Sequence, residues 1–267
     1  MSAPSVLYGP TSLAYDTFAA VTPVPGVPVA GGSQAQRGRY PLGTQLVLED
    51  GKKFRFFLNG AVLGVVGDVA STAVVVTTDM DLTPTAISTT VNAVGLKTVS
   101  FTHGAAAVVA NFISEGYVVM SLAPGAGHTY KIAGHMALTN GGTAETVQLA
   151  PGHVLRDTAI TTTTDIDLVA HPYAGCIQIA ATITGAPVGV YVTAVAANEF
   201  GWLATRGITG TLTAGTLTIG SPAVCLLTGG TAGAVAPASA ATQPVVGTVV
   251  RLAATAEWSS IFVTIDG

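Results

Sequence analysis

The sequence predicts an all-β protein: two small barrel or sandwich lobes preceded by an extended N-terminal arm. Three observations predict it. Threonine (37 residues) and valine are abundant, and β-branched side chains suit a pleated strand better than a helix. Glycine (32) and proline (14) punctuate the chain at short intervals, as turns between short strands require. The apolar share is 49% with aromatics at only 6%, so small aliphatic residues fill the thin cores.

Residues 1–38 read as the arm. Pro23, Pro25 and Pro28 alternate with Val and Gly, and 31-GGSQAQRGR-39 is small and polar. Such sequence favours open backbone without a core of its own. The arm is either a tail or a strap laid over a neighbour, with Tyr8, Tyr15 and Phe18 as apolar anchors in the second case.

Residues 39–187 form the expected N-terminal part. Asp50-Gly51 between Leu46-Val47-Leu48 and Phe54-Arg55-Phe56-Phe57-Leu58 is a strong hairpin signal, because both turn residues tolerate φ > 0. A second turn at Asn59-Gly60 leads into Ala61–Val66, which predicts a three-stranded meander over 42–70. Val74-Val75-Val76 and Thr98–Thr102 continue as strands. The stretch 105–113 suits a helix by its alanines and strands by its Val pairs, whereas 116–122 reads as strand. Turn clusters at Pro124-Gly125, Asn140-Gly141-Gly142, Pro151-Gly152 and Gly185-Ala186-Pro187 then separate short apolar runs, a sandwich or barrel pattern.

Residues 188–267 read as a second small barrel. Its runs are Val190-Tyr191-Val192, Phe200–Thr205, Gly210–Thr213, Val224–Leu227, Val245–Val250 and Ile261–Ile265, with a small, flexible loop over 228–244. Trp202 and Trp258 both lie in apolar runs of core character.

Charged residues are 9% of the chain, against about a quarter in ordinary soluble domains. A surface so poor in charge suits a protein that covers much of its outside with partners. The alternative is a secreted β protein whose surface is Thr and Ser. Net charge is −4 and no basic run exceeds Lys52-Lys53-Phe54-Arg55, so no nucleic-acid partner is expected. No apolar stretch reaches transmembrane length, and the start MSAPSVLYGP has no basic region ahead of an apolar one; neither membrane span nor signal peptide is expected. Cys176 and Cys225 form no CxxC pair and read as two lone buried thiols, with a disulfide between them as the alternative.

No catalytic constellation emerges, and no cofactor or metal is expected. The G-x-S-x-G elbow is absent. His128 and His135 flank a predicted hairpin and would face each other across it, without a Cys or acid nearby to complete a zinc site. Asp79/Asp81 and Asp165/Asp167 each place two carboxylates on one strand face, either as solvated acids or as part of a cation or subunit contact. The loops 124-PGAG-127 and 228-TGGTAG-233 lack the Lys-Ser/Thr ending of a phosphate loop.

Two segments resemble a known family. One is Tyr40-Pro41-Leu42-Gly43, then Glu49-Asp50-Gly51-Lys52-Lys53-Phe54-Arg55-Phe56 and Asn59-Gly60-Ala61. The other is Ala197-Asn198-Glu199-Phe200-Gly201-Trp202-Leu203-Ala204-Thr205-Arg206-Gly207, followed by Ile219-Gly220 and Ala232-Gly233-Ala234. Both are similar to head decoration (cement) proteins of tailed bacteriophages of the marine and cyanophage type. Those carry D-G-R-x-F-R-Y and Y-G-W-V-Q-x-x-G patterns. Here a lysine and Phe56 stand for the Arg and Tyr of the first, and Phe200, Leu203 and Ala204 for the Tyr, Val and Gln of the second. The resemblance implies a non-enzymatic virion protein, made in the host cytoplasm. It would bind the major capsid protein on the outer surface of an assembled head and brace capsomer junctions. It would act as a homo-oligomer, a trimer ahead of a dimer.

Trp202 reads either as a barrel core residue or as an interface anchor. Two other functions compete: another virion part, as a tail or fibre module or the major capsid protein, and a carbohydrate-binding sandwich. A tail or fibre module should show repeats, and the sequence holds at most one weak duplication, TTDMDLTP and TTTTDIDLVAHP. The major capsid protein would need a long charged helix, which is not visible. A carbohydrate-binding sandwich should expose Trp or Tyr platforms.

Overall fold

A computed structural model describes residues 6–9, 14, 40–74, 85–86, 92–104, 107–122, 125–156, 164–253 and 257–266. Tyr15, Phe18, Asp79 and Asp81 lie outside the described residues. The fold is all-β, with no α-helix among the described residues. In chain order the strands are β1 (Val6–Tyr8), β2 (Gln45–Val47), β3 (Lys53–Leu58), β4 (Val69–Ser71), β5 (Thr85–Ala86) and β6 (Thr98–Phe101). Then come β7 (Tyr117–Met120), β8 (Thr129–His135), β9 (Glu145–Leu149), β10 (Asp165–Val169), β11 (Ile177–Gln178) and β12 (Pro187–Tyr191). The last five are β13 (Phe200–Leu212), β14 (Pro222–Val224), β15 (Ala236–Pro237), β16 (Val245–Arg251) and β17 (Trp258–Thr264).

The chain divides into two compact units. The first takes the described residues up to Val74 and those from Pro172 onward; the second takes those from Thr85 to His171. The 42–70 segment therefore shares a sheet with the C-terminal strands, and the second unit is inserted between them in sequence. Part of the expected arm also belongs to the first unit: β1 pairs in parallel with β2, and Ala14 is buried in an aromatic cluster.

In the first unit the sheet runs β1-β2-β3-β13-β17-β16-β14-β15, with β12 on β13 and β4 between β11 and β12. The Asp50-Gly51 hairpin forms as expected. Gly51 sits at φ 82° and β2 pairs antiparallel with β3. The next strand does not complete a meander: β4 pairs with β11 and β12 instead of β3. The chain leaves β3 through Asn59, which is fully buried. Its Nδ2 donates to the carbonyls of Val62, Val195 and Ala196, and its Oδ1 accepts from Tyr191 Oη at 2.9 Å. Asn59 is thus a bracket between two loops, and Ala61–Val66 forms an irregular, exposed loop where a strand was expected.

The long strand β13 organises this unit. Its first half pairs with β3 and β12 and its second half with β17. One face of the first half packs Trp202 and Phe200 with Phe54, Phe56 and Leu46; the other packs Leu203 with Phe57, Tyr191 and Val195. Phe56 stacks on Phe200 with centroids 5.4 Å apart, and Trp202 meets Phe56 edge-on at 5.1 Å. Gly201 is glycine because a Cβ there would stand 3.0 Å from Val195 and 3.2 Å from the Phe57 ring. A third cluster, containing Leu217, Val235, Val246, Ile261 and Val263, lies under β14, β16 and β17.

In the second unit the sheet order is β5-β10-β7-β8-β9-β6. Val99, Phe101, Ile113, Met120, Ile132, Val147, Ile166 and Leu168 supply its core. The stretch 107–116 is neither helix nor strand: Val108 bridges Leu138 and a turn follows.

Candidate interaction surface

The structure separates the two tryptophans that sequence reasoning had grouped. Trp202 is 0% exposed and belongs to the core of the first unit; Trp258 is 57% exposed. The period of β17 explains this. Ser259, Ile261 and Val263 point inward, which turns Trp258, Ser260, Phe262 and Thr264 outward. Both runs read as apolar, and only the packing decides which face is covered. The indole Nε1 of Trp202 is buried without a hydrogen-bond partner, a cost that its aromatic packing must outweigh.

Register extends the outward row across the sheet. Ile208 of β13 stands opposite Phe262 of β17, Phe262 opposite Thr248 of β16, and Thr248 opposite Pro222 of β14. Directly opposed residues share a face. The neighbouring rows pair Arg206 with Thr264, Gly210 with Ser260, and Leu212 with Trp258, while Arg251 pairs with Ser260. The paired residues of this face are aromatic, aliphatic, Thr/Ser and Arg, with Lys53 opposite Arg206 at its β3 edge and no Asp or Glu among them. Aromatic and Arg enrichment with few acids is a mark of interface cores.

One end of the face is fixed by the Ala61–Val66 loop. Trp258 Nε1 donates to the Val66 carbonyl at 3.2 Å, and Leu212 N–H donates to the Gly67 carbonyl at 2.8 Å. Gly67 has φ 85°, and a Cβ there would fall 2.1 Å from Trp258 Nε1. The indole therefore rests on bare backbone. Val62, Leu63, Val65 and Val66 are all exposed beside it. The loop is held from behind by Asn59, so these apolar side chains are presented on a fixed backbone. The order Trp-Ser-Ser-Ile-Phe-Val-Thr over 258–264 does not alternate apolar with polar, so no local signal located this face, and the role of Asn59 had none either.

The remaining candidates come apart. Tyr8 is 83% exposed, at the edge of the sheet. His128 and His135 do not face each other across a hairpin. His128 immediately precedes the single strand β8 and His135 ends it, so they lie about 23 Å apart at the usual rise per residue. Among the described residues no three His, Cys, Asp or Glu side chains converge. Asp165 and Asp167 do share a face of β10. Burial pushes the Asp167 carboxyl up, a hydrogen bond from Ser121 opposes this, and the charge of Asp165 adds to the rise. Two carboxylates fall short of the six to eight oxygens that Ca²⁺ takes. Cys176 and Cys225 are free, buried thiols. Burial pushes Cys225 up to about 12 and Cys176 further still. Asp68 is also pushed up by burial, against a 2.6 Å hydrogen bond from Gln178.

No helix is long and apolar enough to cross a membrane among the described residues. No family model, curated protein or solved structure matches the chain.

Proposed function

We propose that this protein is a non-catalytic structural component of a virion, a decoration protein that binds the outside of an assembled phage head. The observation that carries the reading is the outward face of β13, β17 and β16, with Trp258, Phe262 and Ile208 flanked by Arg206 and Arg251. Such a face binds passively, through apolar burial and a few arginine contacts, and many copies on a lattice add their contacts by multivalency. The low charge of the chain and the two motif resemblances support the same reading.

The test is co-sedimentation with assembled heads. The intact chain should pellet with heads, and a Trp258→Ala/Phe262→Ser chain should remain in the supernatant. Equal pelleting of both would remove this face from the interface, and no pelleting of either would remove the function. Tyr8 is the second contact offered. Deleting residues 1–38 would also remove β1 and Ala14 from the fold, so the arm is better tested by Tyr8→Ala.

One observation favours a second reading. A carbohydrate-binding module needs an exposed aromatic platform, and Trp258 provides one, pinned through its Nε1. Binding on a glycan array that Trp258→Ala abolishes, without head binding, would select it.

A further inference from the structure

The second unit contains a histidine with both ring nitrogens engaged by backbone. His135 closes β8 and is 6% exposed. Its Nδ1 lies 2.5 Å from the Met136 carbonyl oxygen, which can only accept, so Nδ1 carries the proton. Its Nε2 then has a free lone pair, and the Ile113 N–H donates to it at 3.1 Å. The imidazole is the neutral Nδ1–H tautomer. The same residue is bracketed through its backbone: His135 N–H donates to Asn111 Oδ1, and Asn111 N–H donates to the His135 carbonyl, both at 3.1 Å.

The segment held this way is under local strain. Asn111 has φ 62° and Glu115 φ 65°, both in the left-handed region. Asparagine tolerates that region, but glutamate sits there at a cost. The segment stays closed because Ile113, fully buried, packs into the core and its amide is satisfied by the imidazole.

We propose that His135 is an acid-released latch on the 108–116 segment. A proton from solvent takes the Nε2 lone pair, the Ile113 N–H loses its acceptor, and two donors then oppose each other. The strained turn opens and bares Ile113. The latch belongs to the second unit and does not rest on the shell-binding reading.

The surrounding groups set its direction. Burial disfavours the imidazolium most strongly, and His103, beyond β6, adds to that. The Met136 carbonyl and the charge of Glu145, on β9, favour it more weakly. Glu145 is itself engaged by the N–H and hydroxyl of Thr139. Tyr130 and Lys131 share β8, and Glu115 sits in the turn. The outcome is a folded-state pKa below the ordinary 6.5. The latch is therefore fully closed above that value and is lost as pH falls through the lowered one.

The test is amide hydrogen exchange of the full chain from about pH 7.5 down to about pH 4.5, corrected for intrinsic rates, read beside the imidazole ¹⁵N titration. Protection at Ile113 should fall about tenfold per pH unit below 6.5 until His135 titrates in the folded state, then level off. In His135→Gln it should be flat over the same range. A neutral-pH imidazole protonated on Nε2, or an equal slope in His135→Gln, would overturn the latch. If that variant does not fold, the intact chain decides alone: protection at Ile113 unchanged between pH 6.5 and the folded-state midpoint of His135 rejects the proposal.

Discussion

Arg55 on β3 and Asp266, two residues beyond β17, are joined by a two-pronged ion pair: Nε to Oδ2 at 2.5 Å and Nη2 to Oδ1 at 3.1 Å. Arg55 also donates to the Gly43 carbonyl, and Thr205 Oγ1 donates to Asp266 Oδ2. The pair ties the last described residue to the hairpin at the other end of the unit. Burial raises the Asp266 carboxyl, but the Arg55 hydrogen bond and charge, with Thr205 and Gln45, outweigh it and hold the group below its usual 3.8. A depressed carboxylate stabilises above its unfolded pKa and loses that contribution as pH falls through the folded value. Asp266→Asn should cost about 1–3 kcal/mol at neutral pH, by urea denaturation. The gap between the two chains should narrow as pH drops below 3.8.

Asn59 should be the costliest polar position in the first unit. Replacement by Ala removes the amide donor from the Val62 carbonyl and the acceptor of the Tyr191 hydroxyl, and leaves the Val195 and Ala196 carbonyls with only the Gly64 and Glu199 N–H groups, for about 2–4 kcal/mol of lost stability. Tyr191→Phe removes one of those bonds and should cost about 1 kcal/mol. If Asn59→Ala unfolds at the same urea concentration as the parent, the bracket is not structural.

Asn92 acts as a substitute strand at the edge of the second sheet. Its Oδ1 accepts the Ser100 N–H at 2.9 Å and its Nδ2 donates to the Ser100 carbonyl at 2.7 Å, so both edge groups of that residue in β6 are closed off. Asn92→Ala should lower stability by about 1–3 kcal/mol and raise self-association, because an open edge templates pairing with another chain. Light scattering and thermal melting measure the two effects.

Gly67 should report on Trp258. A Cβ there meets the indole and demands φ 85° of an L residue, so Gly67→Ala must displace the ring. The proposed head binding should then fall about tenfold or more, as truncating an interface hot spot does. Trp258→Ala, at an exposed position, should change the melting temperature little while losing the same binding. A Gly67→Ala chain that binds normally would argue that the pinned indole is not the contact.

The sequence by itself determined the fold class, the Asp50-Gly51 hairpin and the buried thiols. Each depends on local information: β-branched residues, positive φ at one glycine, and cysteines without a nearby partner. The run Ile261–Ile265 was equally legible as a strand, but apolar residues at successive positions do not say which face is covered. Only the tertiary structure placed Trp202 inside and Trp258 outside, because a neighbouring layer lies over one face of each strand. It also decided that β4 pairs with strands more than a hundred residues later, that Asn59 is a bracket instead of a turn, and that His135 meets the Ile113 amide. Pairings of this kind join distant segments, and no local spacing encodes them.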